Sequence, residues 1–152
     1  MNKIFLDTNV LVSSIDTTRT NHKKALRLIE KIKRKELQGF ISTQIVGEFY
    51  VSLTRIFRGI EAPLTPEEAK EEIEQMLSSG IFIVLPVTEL ALRKSLILSS
   101  KKGIKGVNFW DVVIIATMLE NGISILYTEN LKDFKKFTDA VSYTHLTLPT
   151  KA

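Results

Sequence analysis

Three acidic residues each end or interrupt an apolar run, and together they suggest oxygen-ligand chemistry. Asp7 closes Lys3-Ile4-Phe5-Leu6 and opens Asp7-Thr8-Asn9-Val10-Leu11-Val12. Glu48 sits within Ile45-Val46-Gly47-Glu48-Phe49-Tyr50, and Asp111 within Asn108-Phe109-Trp110-Asp111-Val112-Val113-Ile114-Ile115-Ala116. Hard divalent cations bind clusters of such carboxylates. A carboxylate at the carboxyl end of a first strand also lies where open α/β sheets hold their ligands. Other chemistries have little to work with. The 152 residues include no cysteine and only two histidines, His22 and His145. That excludes disulfides, thiolate zinc sites and cysteine nucleophiles, and leaves histidine-based zinc or triad chemistry almost without residues.

The elements that must position these acids follow from periodicity and turn signals. A strand is expected over 3–6, a helical turn over 8–15, and a helix over about 22–37, capped by Asn21 and stopped by Gly39. A second strand, Phe40-Ile41-Ser42-Thr43, leads into a helix from Gln44 to about Arg58, ended by Gly59. Thr65-Pro66-Glu67-Glu68 starts a helix running to about Ser79, with proline and acids in its first turn. Ile81–Leu85 reads as a buried strand, Thr88 caps a helix to about Lys102, and Asn108 begins an apolar helix ending at Asn121-Gly122. Residues 123–128 form the next strand. Strands alternating with helices imply an α/β three-layer sandwich with a central parallel sheet of four to five strands and right-handed crossovers.

The composition, 44% hydrophobic and 25% charged, is that of one globular domain, assigned to residues 1–142. Residues 143–152 change character, becoming threonine-rich without an acid. They read as a vector- or sequencing-derived tail rather than a native last strand. The start resembles no signal peptide and no apolar run approaches the roughly 20 residues that span a bilayer. The expectation is a cytoplasmic protein that engages no membrane. The formal net charge is +4, with basic runs at Lys31, Lys33, Arg34, Lys35 and at Lys101, Lys102, Lys105. Such runs serve most often as solvated helix faces and otherwise, with Arg55 and Arg58, as contacts to an RNA or DNA backbone.

Each acid has a plainer role open to it. Asp7 is a favoured helix N-cap, Glu48 an ordinary surface glutamate with Gly47 admitting a close backbone, and Asp111 a capping-box partner of Asn108. A phospho-aspartyl enzyme is disfavoured, because the second aspartate such enzymes carry two residues on is replaced by Asn9. Phe109 and Trp110 read as core, and His22 as a solvated helix residue. Thr8, Asn9 and Thr128 are turn and cap residues of the kind that also orient carboxylates around a metal.

The ordered set Leu6-Asp7-Thr8-Asn9, Ile45-Val46-Gly47-Glu48-Phe49, Asn108-Phe109-Trp110-Asp111 and Tyr127-Thr128-Glu129-Asn130-Leu131-Lys132-Asp133-Phe134 resembles the PIN-domain ribonucleases. It is most similar to the VapC-type toxins of toxin–antitoxin pairs, over residues 3 to about 137. That resemblance implies acids gathered around Mg²⁺ or Mn²⁺ at the carboxyl edge of a parallel sheet. It further implies hydrolysis of RNA phosphodiesters by a metal-activated water, a small antitoxin partner and a homodimer. Asp7, Glu48 and Asp111 fall on the family's three principal acids, as catalytic residues and metal ligands. The fourth falls on Asn130, which offers only an amide oxygen and leaves a second metal site in question; Glu129 and Asp133 flank it. Two rival expectations are a PIN-like RNA-binding module with impaired catalysis and an unrelated α/β protein whose acids are caps.

Overall fold

The computed structural model describes residues 2–55, 63–137 and 145–146. In chain order the elements are β1 (Asn2–Leu6), α1 (Thr8–Ile15), α2 (His22–Lys33), β2 (Leu37–Ser42), α3 (Thr43–Thr54) and α4 (Pro66–Ser78). They continue with β3 (Phe82–Leu85), α5 (Glu89–Lys102), a 3-10 turn (Gly106–Asn108), α6 (Phe109–Glu120), β4 (Ile125–Tyr127), α7 (Leu131–Phe134) and β5 (His145–Leu146). All strand pairs are parallel and the sheet order is β3-β2-β1-β4-β5. The α/β sandwich with a parallel central sheet is therefore as expected.

β1 is central, so both of its faces are covered. Ile4, Phe5 and Leu6 are consecutively buried, which an exposed-face strand does not allow. β3 departs from expectation. It is an edge strand in which Ile83 is 42% exposed and Leu85 alone is buried, because among the described residues no strand lies beyond it. α6 is buried continuously from Val112 to Met118, and pairs with α5. α1 packs on α2 and α3, and α3 on α4. Among the described residues no helix is long and apolar enough to cross a membrane.

Several element ends are set by residues other than those expected. α2 stops at Lys33, not near residue 37, because Lys35 takes a left-handed conformation (φ 63°) and the Glu36 N–H bonds the Lys31 carbonyl at 2.9 Å. Gly39 is not a stop at all. It lies within β2, where a Cβ would come within 2.9 Å of Ile32 Cδ1 and 3.0 Å of Phe82 Cδ1, so its lack of a side chain lets α2 approach the sheet. Ser42 caps α3, which begins at Thr43 and ends at Thr54; Arg58 and Gly59 lie outside the described residues. Thr65 and Glu68 form the capping box that proline and acids announce, and Thr88 caps α5. β5 pairs His145 and Leu146 with Ile125 and Leu126 of β4.

Candidate functional site

β1 and β4 end side by side, and the Asp7 N–H extends their ladder by donating to the Tyr127 carbonyl at 3.0 Å. Asp7 follows at once as the N-cap of α1, its Oδ1 accepting from the Thr8 N–H at 2.8 Å. Its Oδ2 accepts from the Thr128 hydroxyl at 2.8 Å, and Asn9 Nδ2 lies 3.5 Å away. The capping bond and the bonds from Thr128 and Asn9 thus fall to different oxygens. α3 supplies Glu48 in the same place. Glu48 Oε1 accepts from the Thr8 hydroxyl at 2.7 Å, and Oε2 from Gln44 Nε2 at 3.0 Å. Thr8 therefore joins the Asp7 and Glu48 arms through its backbone and its side chain.

Asp7, Glu48, Asp111 and Asn130 all line one open pocket of about 650 Å³, together with Thr8, Asn9, Arg19, Gln44, Gly47 and Arg55. Burial pushes the Asp7 carboxyl from 3.8 up to about 6; hydrogen bonds from Thr128 and Thr8 oppose the rise, and the charges of Glu48 and Asp133 add to it. Among the described residues, no three acidic or histidine side chains stand close enough as placed to hold one ion. The donor set nevertheless suits a hard cation. It consists of carboxylate and amide oxygens without sulfur, it concentrates negative charge at a buried carboxyl, and the buried Gln44 Oε1 lacks a hydrogen-bond partner.

Several local expectations are corrected. Asn108 makes no side-chain cap and belongs to the 3-10 turn, so Asp111 stands in the first turn of α6 without a capping box. Gly47 admits no backbone, since a Cβ there would meet nothing within 4 Å; it opens the pocket wall instead. Trp110 is not core but 46% exposed, edge-on to Phe109, and its carbonyl accepts from Gln44 Nε2 at 3.1 Å. His22 is partly buried, its Nδ1 2.8 Å from the Ser13 carbonyl oxygen. Asn130 is exposed, its N–H donating to the Thr128 hydroxyl at 3.0 Å. Of its two acidic neighbours, Glu129 is engaged by Arg19 at 3.3 Å, while the charge of Asp133 reaches Asp7.

The basic residues divide. α2 leads into the start of β2, so Lys31, Lys33, Arg34 and Lys35 lie at the amino-terminal edge of the sheet, away from the pocket, with Lys33 near Glu30 and Arg34 near Glu36. Arg55 lines the pocket. Lys101, Lys102 and Lys105 occupy the end of α5 and the connection into α6, which carries Asp111. Arg58 lies outside the described residues. Sequence reasoning missed Gln44 and Arg19. A glutamine in the first turn of a helix and an arginine in a threonine-rich loop look like solvated residues until the fold brings them beside the acids.

An open parallel sheet with an acid-lined pocket beyond its carboxyl ends places the chain among α/β proteins that bind ligands at that edge. The PIN domain model matches residues 4–139, and the chain belongs to the PIN domain family. An unrelated α/β protein is thereby ruled out. No curated protein matches by sequence. Among solved structures the fold is similar to Mycobacterium tuberculosis VapC20, a sarcin-ricin loop cleaving toxin, with 18% identity and a TM-score of 0.66 over 86% of this chain and 92% of that one. It is similar to VapBC2 from Rickettsia felis, bound to a fragment of promoter DNA, with 18% identity and a TM-score of 0.62 over 95% and 96% of the two chains. VapBC-1 from nontypeable Haemophilus influenzae shares 20% identity, with a TM-score of 0.60 over 90% of this chain and 93% of that one.

Proposed function

We propose that this PIN-domain chain is a Mg²⁺- or Mn²⁺-dependent endoribonuclease, the toxin of a toxin–antitoxin pair, cytoplasmic, homodimeric and restrained by a small antitoxin. The observation that carries this reading is the convergence of Asp7, Glu48, Asp111 and Asn130 on one pocket at the carboxyl edge of the sheet. Asp7, Glu48 and Asp111 would hold the ion, with the Asn130 amide oxygen as a neutral fourth donor. Such an ion, when bound, supplies an activated water and stabilises the leaving oxygen of the phosphodiester. The remaining roles belong to the chain. Thr128 and Asn9 orient Asp7, Thr8 ties Asp7 to Glu48, and Gln44 fixes the second oxygen of Glu48. Arg55, Lys101, Lys102 and Lys105 are proposed contacts to the RNA backbone, which would position the strand without reading its sequence.

The partner assignment is supported by the VapBC complexes whose fold this chain shares. The test is incubation of the purified protein with structured RNAs in Mn²⁺ or in EDTA. Cleavage should occur with the ion, stop in EDTA and be abolished by Asp7→Asn, while a short protein encoded beside it, where one is found, should suppress cleavage on addition. The neutral Asn130 supports a second reading, an RNA-binding module with impaired catalysis. Metal-independent RNA binding with no cleavage in any ion would select it.

A further inference from the structure

Arg19 belongs to the loop between α1 and α2 and lines the same pocket as Asp7, Glu48, Asp111 and Asn130. Its guanidinium is held on two carboxylates. Nη1 donates to Glu129 Oε1 at 3.3 Å and to Ser13 Oγ at 3.5 Å, and Nε lies 3.7 Å from Asp16 Oδ2. Those anchors are themselves fixed. Glu129 accepts from Asn21 Nδ2 at 3.1 Å and from the Ser13 hydroxyl, while its N–H donates to Asn9 Oδ1 at 3.1 Å. Asp16 is buried and accepts from the Thr18 N–H at 3.0 Å and the Thr18 hydroxyl at 2.7 Å. The Arg19 side chain remains 27% exposed, neither a free surface arm nor a buried bridge.

A pocket walled by acids repels a phosphodiester unless positive charge meets it. In two-ion sites a second cation does this, clamping the oxygen opposite the first. Here Asn130 brings no charge to the pocket that could draw in a second ion, and its acidic neighbour Glu129 holds Arg19 instead. We propose that Arg19, in place of a second metal ion, supplies the second positive charge of the site by binding a phosphate oxygen of the RNA, with Glu129 and Asp16 as positioning residues. This rests on the nuclease reading above. A planar guanidinium suits phosphate, and one already held by its neighbours loses little freedom on binding.

The test measures binding, not turnover. Anisotropy of a fluorescein-labelled RNA hairpin in EDTA, across a salt series, is compared for the parent, Arg19→Gln, Arg19→Lys and Glu129→Gln, with Mn²⁺ calorimetry on each. Arg19→Gln should weaken RNA binding about five- to tenfold and reduce the slope of log K against log salt by about 0.7–0.9. Its Mn²⁺ isotherm should show one site of parental or tighter affinity. Arg19→Lys, which keeps the charge but loses the planar fork, should retain the slope with weaker binding, whereas Glu129→Gln, which removes an acid from beside the guanidinium, should retain the slope without weaker binding. Unchanged RNA affinity and slope in Arg19→Gln, or two tight Mn²⁺ sites in the parent, would overturn the proposal. Should Arg19→Gln fail to fold, Arg19→Lys decides, and undiminished affinity there overturns it. A parent that binds neither RNA nor Mn²⁺ would instead remove the nuclease reading itself.

Discussion

Asp7 is buried yet placed to carry charge, and this sets the pH behaviour of the metal-free protein. Its folded pKa of about 6 lies above the ordinary 3.8, so the folded chain holds the proton more tightly than the unfolded one. Its contribution is therefore most favourable below pH 3.8 and declines as pH rises through 6, by at most roughly 3 kcal/mol. Asp7→Asn should accordingly raise stability in EDTA at pH 8 by about 1–2 kcal/mol, since the amide must still face two donors. The gain should shrink toward zero near pH 4, as read by urea unfolding; parallel pH profiles would mean that the carboxyl is not desolvated. At Asn130, the proposed neutral fourth donor, Asn130→Asp should tighten Mn²⁺ binding and lower the metal concentration at which cleavage begins, because it adds charge to the pocket. Identical calorimetric isotherms would put residue 130 outside the coordination sphere. Asp7, Glu48 and Asp111 were legible in the sequence because an acid beside apolar residues is costly and must have a reason. Arg19 and Gln44 were not, since only contacts with residues about 110 and 66 positions away distinguish them from surface residues.

At the scale of elements, two glycines make opposite predictions. At Gly39 a Cβ would press on Ile32 and Phe82 at 2.9 and 3.0 Å, so Gly39→Ala should destabilise by about 1 kcal/mol, overpacking outweighing the gain in strand propensity. Gly47 lies inside α3 with open space around it, and Gly47→Ala should stabilise by roughly 0.5–1 kcal/mol. Chemical denaturation of both variants checks the sign, and equal shifts would contradict the packing described for β2. The helices were readable from their caps and periodicity, because those signals are local. The end of α2 was not, because a lysine adopted the left-handed turn usually given to glycine. Nor was the exposure of β3, since an apolar run says nothing about whether a neighbouring strand will cover it.

For the molecule as a whole, the parallel architecture followed from alternating strands and helices, whereas strand order depended on contacts that no local pattern encodes. The chain beyond residue 142 is proposed to be dispensable, since the family match ends at 139 and, among the described residues, none of the pocket lies there. Its only described structure is the two-residue pairing of β5 with β4. Truncation after Ser142 should leave a cooperative transition with a Tm lowered by no more than a few degrees; an unfolded product would show β5 to be an integral strand. The bond between Thr128 and Asp7 has a consequence for the making of the protein. Its partners are 121 positions apart, an interval of roughly 6–24 s at about 5–20 residues translated per second. Throughout that interval the nascent chain carries Asp7 without the hydroxyl that orients it, and β1 without β4 beside it. A ribosome producing the proposed toxin is thus spared its activity until residue 128 has been made, and an antitoxin translated alongside has that time to accumulate.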